Sequence, residues 1–177
     1  MGLTIVRHTR VGIDLSLCYG QSDVPLADTY PEEWAETVSR LGDLSRFERV
    51  YSSPLRRCLS FANEYFGEDV ETDPRLMEIN FGDWEGIPWS EIFESSEGKA
   101  WFEDYLHQKP PHGESYPEMV ARVKAFYEEK VAGREEEILL VTHSGVLRCF
   151  LDFLKGYTPM EAMEAEVDYG EVLKLED

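Results

Sequence analysis

Two histidines and a pair of arginines stand where short apolar runs give way to polar residues. Arg7-His8-Thr9 closes the run that begins at Leu3. His143-Ser144-Gly145 follows the apolar segment at 138–142, and Ser52-Ser53, with Arg56 and Arg57 just beyond, follows the one at 48–51. Arginine presents paired N–H donors in a fixed plane that matches phosphate oxygens. An imidazole with one nitrogen free is a nucleophile toward phosphorus, and a second imidazole can bond to the oxygens of a transferring phosphoryl group. An ester oxygen that leaves also needs a proton, for which the middle of the chain offers Asp73, Glu78, Asp83 and Glu85. Residue types alone leave these four open, and they leave a purely structural hydrogen-bonding role open for each histidine. His107 and His112 lack a compact ligand motif, so no metal site is expected.

These side chains meet only if the strands that carry them run parallel. Residues 3–7 (LTIVR) predict a short buried strand from their β-branched character, and 48–51 predict a second. Residues 138–142 (ILLVT) are almost continuously apolar, as in a parallel strand buried on both faces. Ligands of open α/β sheets bind beyond the carboxyl ends of such strands, which would bring His8, His143 and the arginines to one crevice. Helices are expected from Pro31, with Trp34, Val38 and Leu41 inward, and from Pro54, with Leu55, Leu59 and Ala62 on one face. Further helices are expected over 92–106, after a Ser115 cap with Met119, Val123, Phe126 and Tyr127 inward, and over 145–154, closed by Gly156. Residues 67–90 read as loop with a short strand near 70–72, and the tail YGEVLKLED as a final edge strand. The fold class expected is a single α/β domain over 1–177, with a mostly parallel central sheet flanked by helices on both faces.

Composition is that of an ordinary globular chain, 42% hydrophobic and 30% charged. The net charge of −19 argues against nucleic acid and against an anionic membrane as partners, while a small anion at a site answers to its nearest charges. Cys18, Cys58 and Cys149 are far apart and lack metal-ligand spacing, which predicts free buried thiols and a reducing compartment. No run is long enough to span a membrane, and the apolar stretch of MGLTIVRH is too short for a secretion signal. The expected location is the cytoplasm. A homodimer is compatible with the sequence.

Four motifs together resemble the histidine phosphatase superfamily, the phosphoglycerate mutase-like family. IVRHT, SSPLRRC, LMEINFGDWEG and VTHSG occur in that family's order across 5–145. The resemblance implies that His8 is the nucleophile and becomes phosphorylated. It implies that Arg7, Arg57 and His143 hold the phosphoryl oxygens, and that Glu78 protonates the leaving alcohol and then helps activate water. It implies neither a metal nor an organic cofactor. Thr9 stands where the family commonly has glycine, Ser144 where it has glycine or alanine, and Cys58 where it has alanine. The family's asparagine is missing from TRVGIDLS.

The segments RHT, CYGQSDVPLA, THSGVLR and YGEV resemble the α-ribazole phosphatase branch, whose members remove the 5′-phosphate from α-ribazole phosphate in cobalamin nucleotide-loop assembly. By that likeness Thr9, Tyr19, Gly20 and Ser144 are expected to touch the substrate; HGES resembles the family's segment beside the pocket, so Glu114 and Ser115 are expected to touch the substrate or shape its entrance. Tyr19, Phe81, Trp84, Trp89 and Trp101 are candidates to stack on a benzimidazole-like base, Tyr19 and Trp84 foremost. The small-molecule phosphate monoester has competitors in a broader phosphatase acting on sugars, nucleotides or phosphoserine, and in a mutase. The short chain and the missing asparagine disfavour the mutase. A phosphate-binding protein without turnover is the non-enzymatic alternative, and the complete set of five catalytic residue types argues against it.

Overall fold

The computed structural model describes residues 2–176; Met1 and Asp177, the ends of MGLTIVRH and YGEVLKLED, lie outside the described residues. In chain order the elements are β1 (Gly2–Arg7), α1 (Tyr30–Leu41), β2 (Arg49–Ser52), α2 (Arg56–Phe66), β3 (Glu71–Thr72) and α3 (Trp89–Glu94). There follow α4 (Ser96–Glu103), α5 (Tyr116–Lys130), β4 (Glu137–Thr142), α6 (Ser144–Lys155), α7 (Pro159–Glu164) and β5 (Val172–Glu176). The sheet order is β3-β2-β4-β1-β5. β1, β2 and β3 join β4 in a parallel set, and β5 alone runs antiparallel, on the outer edge of β1.

Alternation along the central strands sorts the core into two layers. Ile5, Ile138 and Leu140 face Phe126 and Val123 of α5 and Val146 and Phe150 of α6. Val6, Leu139 and Val141 face Trp34 and Leu41 of α1 and Phe61 and Ala62 of α2. A strand with both faces covered must be apolar at every position, which is why ILLVT shows no polar alternation. The sheet is mostly parallel with helices on both sides, as expected. Among the described residues no helix is long and apolar enough to cross a membrane.

Register fixes where the strands deliver their last residues. Arg7 lies opposite Thr142 and Ser52 opposite Val141, so β1, β4 and β2 end at one edge of the sheet. The ladder then continues by one bond on each side: His8 N donates to Thr142 O at 2.9 Å and Ser53 N to Val141 O at 2.9 Å.

Two helical expectations need correction. The helix expected over 92–106 begins earlier, at Trp89, and is broken into α3 and α4 at Ser95, whose backbone is extended. The Ser95 hydroxyl accepts from Gly98 N at 2.9 Å and caps α4. That tight turn brings Gly98 onto the Ile92 carbonyl, where a Cβ would overlap the oxygen. The second correction is α7, which the sequence reading passed over; its Thr158 and Glu161 form a reciprocal capping box around Pro159.

The α3–α4 pair packs on its own small cluster of Cys18, Trp84, Ile92 and Trp101, beside the sheet edge rather than over it. Gly98→Ala forces this turn apart and is expected to cost about 1–3 kcal/mol, the usual range for overpacking. Thermal unfolding followed by tryptophan fluorescence should show a lowered Tm and a red-shifted native spectrum, while far-UV circular dichroism shows that the central sheet persists. An unchanged Tm and spectrum would contradict the proposed role of Gly98.

Candidate active site

His8 follows β1 directly and is buried, 3% exposed. Its Nδ1 lies 2.7 Å from the carbonyl oxygen of Thr9. A carbonyl only accepts, so Nδ1 carries the proton and Nε2 keeps its lone pair. Burial first, then the Arg57 and Arg7 charges, hold the imidazole well below its ordinary pKa of 6.5. His8 is therefore a neutral imidazole with one nitrogen available to attack.

Arg57, on the first turn of α2, is fully buried. Its Nη1 donates to Ser22 O at 2.8 Å, its Nη2 to Gly20 O at 2.6 Å and its Nε to His143 Nδ1 at 3.3 Å. Arg7 donates from Nη1 to Val167 O at 2.6 Å, and its buried Nε finds no acceptor among the described residues. Each guanidinium also lies near an aromatic ring: Arg7 Cζ is 3.9 Å from the centroid of Tyr169, and Arg57 Cζ is 5.2 Å from that of Tyr19. Neither arginine pairs with a carboxylate among the described residues. Two cations held by neutral groups form a ready site for an anion.

His143 begins α6 as its N-cap residue and is fully buried. Nδ1 accepts from Arg57, and Nε2 lies 2.8 Å from the Ser53 hydroxyl, to which it donates in that tautomer. Burial, then Arg57 and His8, push its pKa well below 6.5 as well. The two imidazoles sit with centroids 5.1 Å apart at 65°.

The structure separates the four acidic candidates by what already occupies them. Asp73 is clamped by Arg75 at 2.7 Å and caps a short 3-10 turn. Asp83 pairs with His112 on the surface. Glu85 accepts from Gln21 N at 2.9 Å, from Phe81 N and from the Ser22 hydroxyl, tying two loops together. Glu78 alone of the four lines the cavity beside the site. Its carboxylate accepts from Ile79 N at 2.9 Å, Gly145 N at 3.2 Å and the Ser144 hydroxyl at 3.3 Å. A Cβ on residue 145 would overlap that carboxylate, so glycine there is a condition for its position.

The cavity, of about 190 Å³, is walled by Phe81, Trp89, Trp101, Met119 and Met163, with Tyr19, Gly20, Glu78 and Ser144 on the side of the histidines. Trp84 does not line it; its ring packs behind, against Trp101. Glu114 and Ser115 also depart from expectation. Glu114 is paired with Arg122 at 2.6 Å and accepts from Asn80 N. Arg122 in turn donates to the carbonyls of Arg75 and Glu78, so the pair braces the loop that carries Glu78. Ser115 caps α5 in a reciprocal box with Glu118. The hydroxyl and the carboxylate are thus engaged with protein rather than presented to a ligand. Thr9 is buried beside His8, and its hydroxyl finds no partner among the described residues. Sequence reasoning missed Tyr169 and Arg122; only the antiparallel register of β5 and the return of α5 bring them here.

A family model described as the histidine phosphatase superfamily (branch 1) matches residues 3–176. The adenosylcobalamin/alpha-ribazole phosphatase of Escherichia coli (strain K12) is 32% identical over 179 residues, covering 96% of this chain and 87% of that protein. The 2,3-bisphosphoglycerate-dependent phosphoglycerate mutase of Cytophaga hutchinsonii is 29% identical, covering 95% and 84%. Among solved structures, the alpha-ribazole phosphatase from Shigella flexneri superposes with a TM-score of 0.88 at 26% identity, covering 99% of this chain and 90% of that one.

Two neutral, buried histidines tie stability to pH. Between pH 6.5 and their lowered native values, the unfolded chain binds protons that the native chain does not. The stability they contribute is therefore present above pH 6.5 and is lost as pH falls. Relative to the His8→Gln, His143→Gln double variant, the wild type is expected to lose up to roughly 1 kcal/mol per pH unit per histidine below that point. Urea unfolding of both proteins from pH 7.5 to 5.5 checks this, and a difference that stays constant with pH would contradict it.

Proposed function

Given that the chain belongs to the histidine phosphatase superfamily, we propose that it hydrolyses phosphate monoesters through a phosphohistidine on His8, with α-ribazole 5′-phosphate as its substrate. Nε2 of His8 attacks phosphorus as the ester P–O bond breaks. Glu78, in its protonated form, gives its proton to the departing alkoxide. Water then attacks the phosphohistidine and passes a proton to Glu78. The P–N bond breaks, its electron pair returns to Nε2, and inorganic phosphate leaves. Arg7, Arg57 and His143 hold the phosphoryl oxygens through both steps. No metal or organic cofactor enters this scheme.

The observation that favours α-ribazole phosphate over smaller esters is the cavity beside Glu78. A proton donor must face the leaving group, so the leaving group occupies the space that Glu78 lines. That space is walled mostly by Phe81, Trp89, Trp101 and two methionines, with Arg148 as its one cation, a surface suited to a flat aromatic base. The free, buried Cys18, Cys58 and Cys149 fit a reducing compartment, and the cytoplasm is the location proposed.

The decisive measurement is kcat/KM for α-ribazole 5′-phosphate beside sugar, nucleotide, phosphoserine and glycerate phosphates, with His8→Ala as the blank. A preference of about 10- to 100-fold for α-ribazole 5′-phosphate is expected, the discrimination an apolar pocket can supply. A flat panel would make the protein a broad phosphatase, phosphate returned to glycerate a mutase, and tight binding without turnover a binding protein. Glu78→Gln is expected to slow alkyl esters by about 10²–10⁴-fold. It should slow p-nitrophenyl phosphate far less, because that leaving group departs without a proton. Equal losses on both would remove Glu78 from the role of proton donor.

A further inference from the structure

Tyr169 lies in the turn before β5, and its ring is 3.9 Å from Arg7 Cζ and 5.8 Å from the His8 ring. Tyr19, from a loop at the other end of the chain, lies 5.2 Å from Arg57 Cζ. The two hydroxyls meet at 3.4 Å, across 150 residues of sequence. We infer that Tyr169 and Tyr19 are positioning residues, which hold Arg7 and Arg57 by their ring faces so that both guanidiniums stay aimed and fully charged for the phosphoryl group. This inference rests on the reading of those arginines as the phosphate clamp.

The reason lies in what else could hold an arginine. A carboxylate would orient it more strongly, but it would cancel the charge and compete with the incoming phosphate for the same N–H groups. An aromatic face attracts a guanidinium through its quadrupole and takes up none of its in-plane donors. Backbone carbonyls do the rest: Val167 O for Arg7, and Gly20 O and Ser22 O for Arg57. Carboxylates are plentiful nearby in sequence, with Asp168 and Glu171 flanking Tyr169, yet none pairs with Arg7 among the described residues. Burial raises the Tyr19 hydroxyl well above its ordinary range, so no phenolate stands in the phosphate's place.

Delivery of Tyr169 depends on the edge strand. Val172 pairs with Val6, Arg7 N donates to Glu171 O at 2.9 Å, and Gly170 N reaches His8 O at 3.3 Å. The hydroxyl contact is longer than a strong O–H···O bond. Stacking therefore carries the effect, and phenylalanine should serve nearly as well as tyrosine.

The test is made on the full chain with Tyr169→Leu and Tyr169→Phe, using vanadate inhibition and kcat/KM for both p-nitrophenyl phosphate and α-ribazole 5′-phosphate. Tyr169→Leu is expected to weaken vanadate inhibition and lower kcat/KM by about tenfold, by the same factor for both esters, since the arginines grip what the esters share. Tyr169→Phe should recover most of the loss. In an Arg7→Lys background, Tyr169→Leu should add little, because its effect passes through the guanidinium. The inference is overturned by a Leu variant within about twofold of wild type, by a loss confined to one ester, by a Phe variant as impaired as Leu, or by full additivity with Arg7→Lys. If Tyr169→Leu loses its cooperative melt, Tyr19→Leu and Tyr19→Phe make the test through Arg57 by vanadate inhibition alone, because Tyr19 also lines the leaving-group cavity. A wild-type protein that neither binds vanadate nor turns over either ester would overturn the phosphate-clamp reading, and this inference with it.

Discussion

The burial of the Arg57 guanidinium, with Arg7 half-buried nearby and neither paired with a carboxylate among the described residues, is the constraint on which the rest of the site depends. A buried cation is costly unless hydrogen bonds replace its water. Here carbonyl oxygens from the 19–22 loop and from Val167 do so for Arg57 and Arg7. The consequences reach both histidines, whose pKa values are driven down by burial and then by these same charges. A carboxylate in the clamp would weaken that shift and occupy the anion site together. The chain carries 36 acidic residues against 17 basic ones, so keeping acids off these two arginines is a specific feature of the fold.

Holding the carbonyls in place falls to the loops, and the loops are held by Glu85, which sequence reasoning had offered as a proton donor, and by Glu114, which it had placed at the substrate. Glu85 binds the backbone of Gln21 and Phe81, joining the loop that grips Arg57 to the loop that carries Glu78. Glu114, through Arg122, fixes the Glu78 carbonyl from the opposite side. The carboxylate of Glu78 is left to meet the first residues of α6, where Gly145 permits the approach. Two acids thus work on backbone and salt links so that a third can face the cavity.

Much of this was legible in the sequence because it depends on local pattern. Continuous apolar runs marked β1 and β4, and the polar residues closing them marked His8 and His143. Glu78 was not legible from residue type, since Asp73, Asp83 and Glu85 are chemically equivalent; only the LMEINFGDWEG resemblance singled it out. Ser115 was read both as a helix cap and as a substrate contact; S-x-x-E before an apolar run signals a capping box, and that is what it forms with Glu118. The break at Ser95 was missed because helical periodicity carries through it; the signal was Gly98, a residue a continuous helix would not favour. Tyr169 opens the YGEV segment that carried part of the resemblance, but no role was read from it. Its place beside Arg7 is set by the register of an antiparallel edge strand, which residue spacing does not encode.

The site divides along the line of Glu78. On one side lie the strand ends, whose geometry follows from the parallel register and whose partners are main-chain atoms, imidazoles and ring faces. Changing that side changes the reaction for every ester. On the other side lies a cavity whose wall is drawn from several elements: Trp89 of α3, Trp101 of α4, Met119 of α5, Arg148 of α6 and Met163 of α7, with residues of the loops at 19–20 and 78–81. By the function proposed above, substitutions at Phe81, Trp89, Trp101 or Met163 alter which leaving group fits, whereas Tyr19 and Gly20 line the cavity and also hold Arg57. A fold built this way can keep one phosphoryl chemistry and exchange its substrates, so function must be read from the cavity wall rather than from the fold. In this chain that wall is mostly aromatic and apolar, with Glu78 and Arg148 as its charged members.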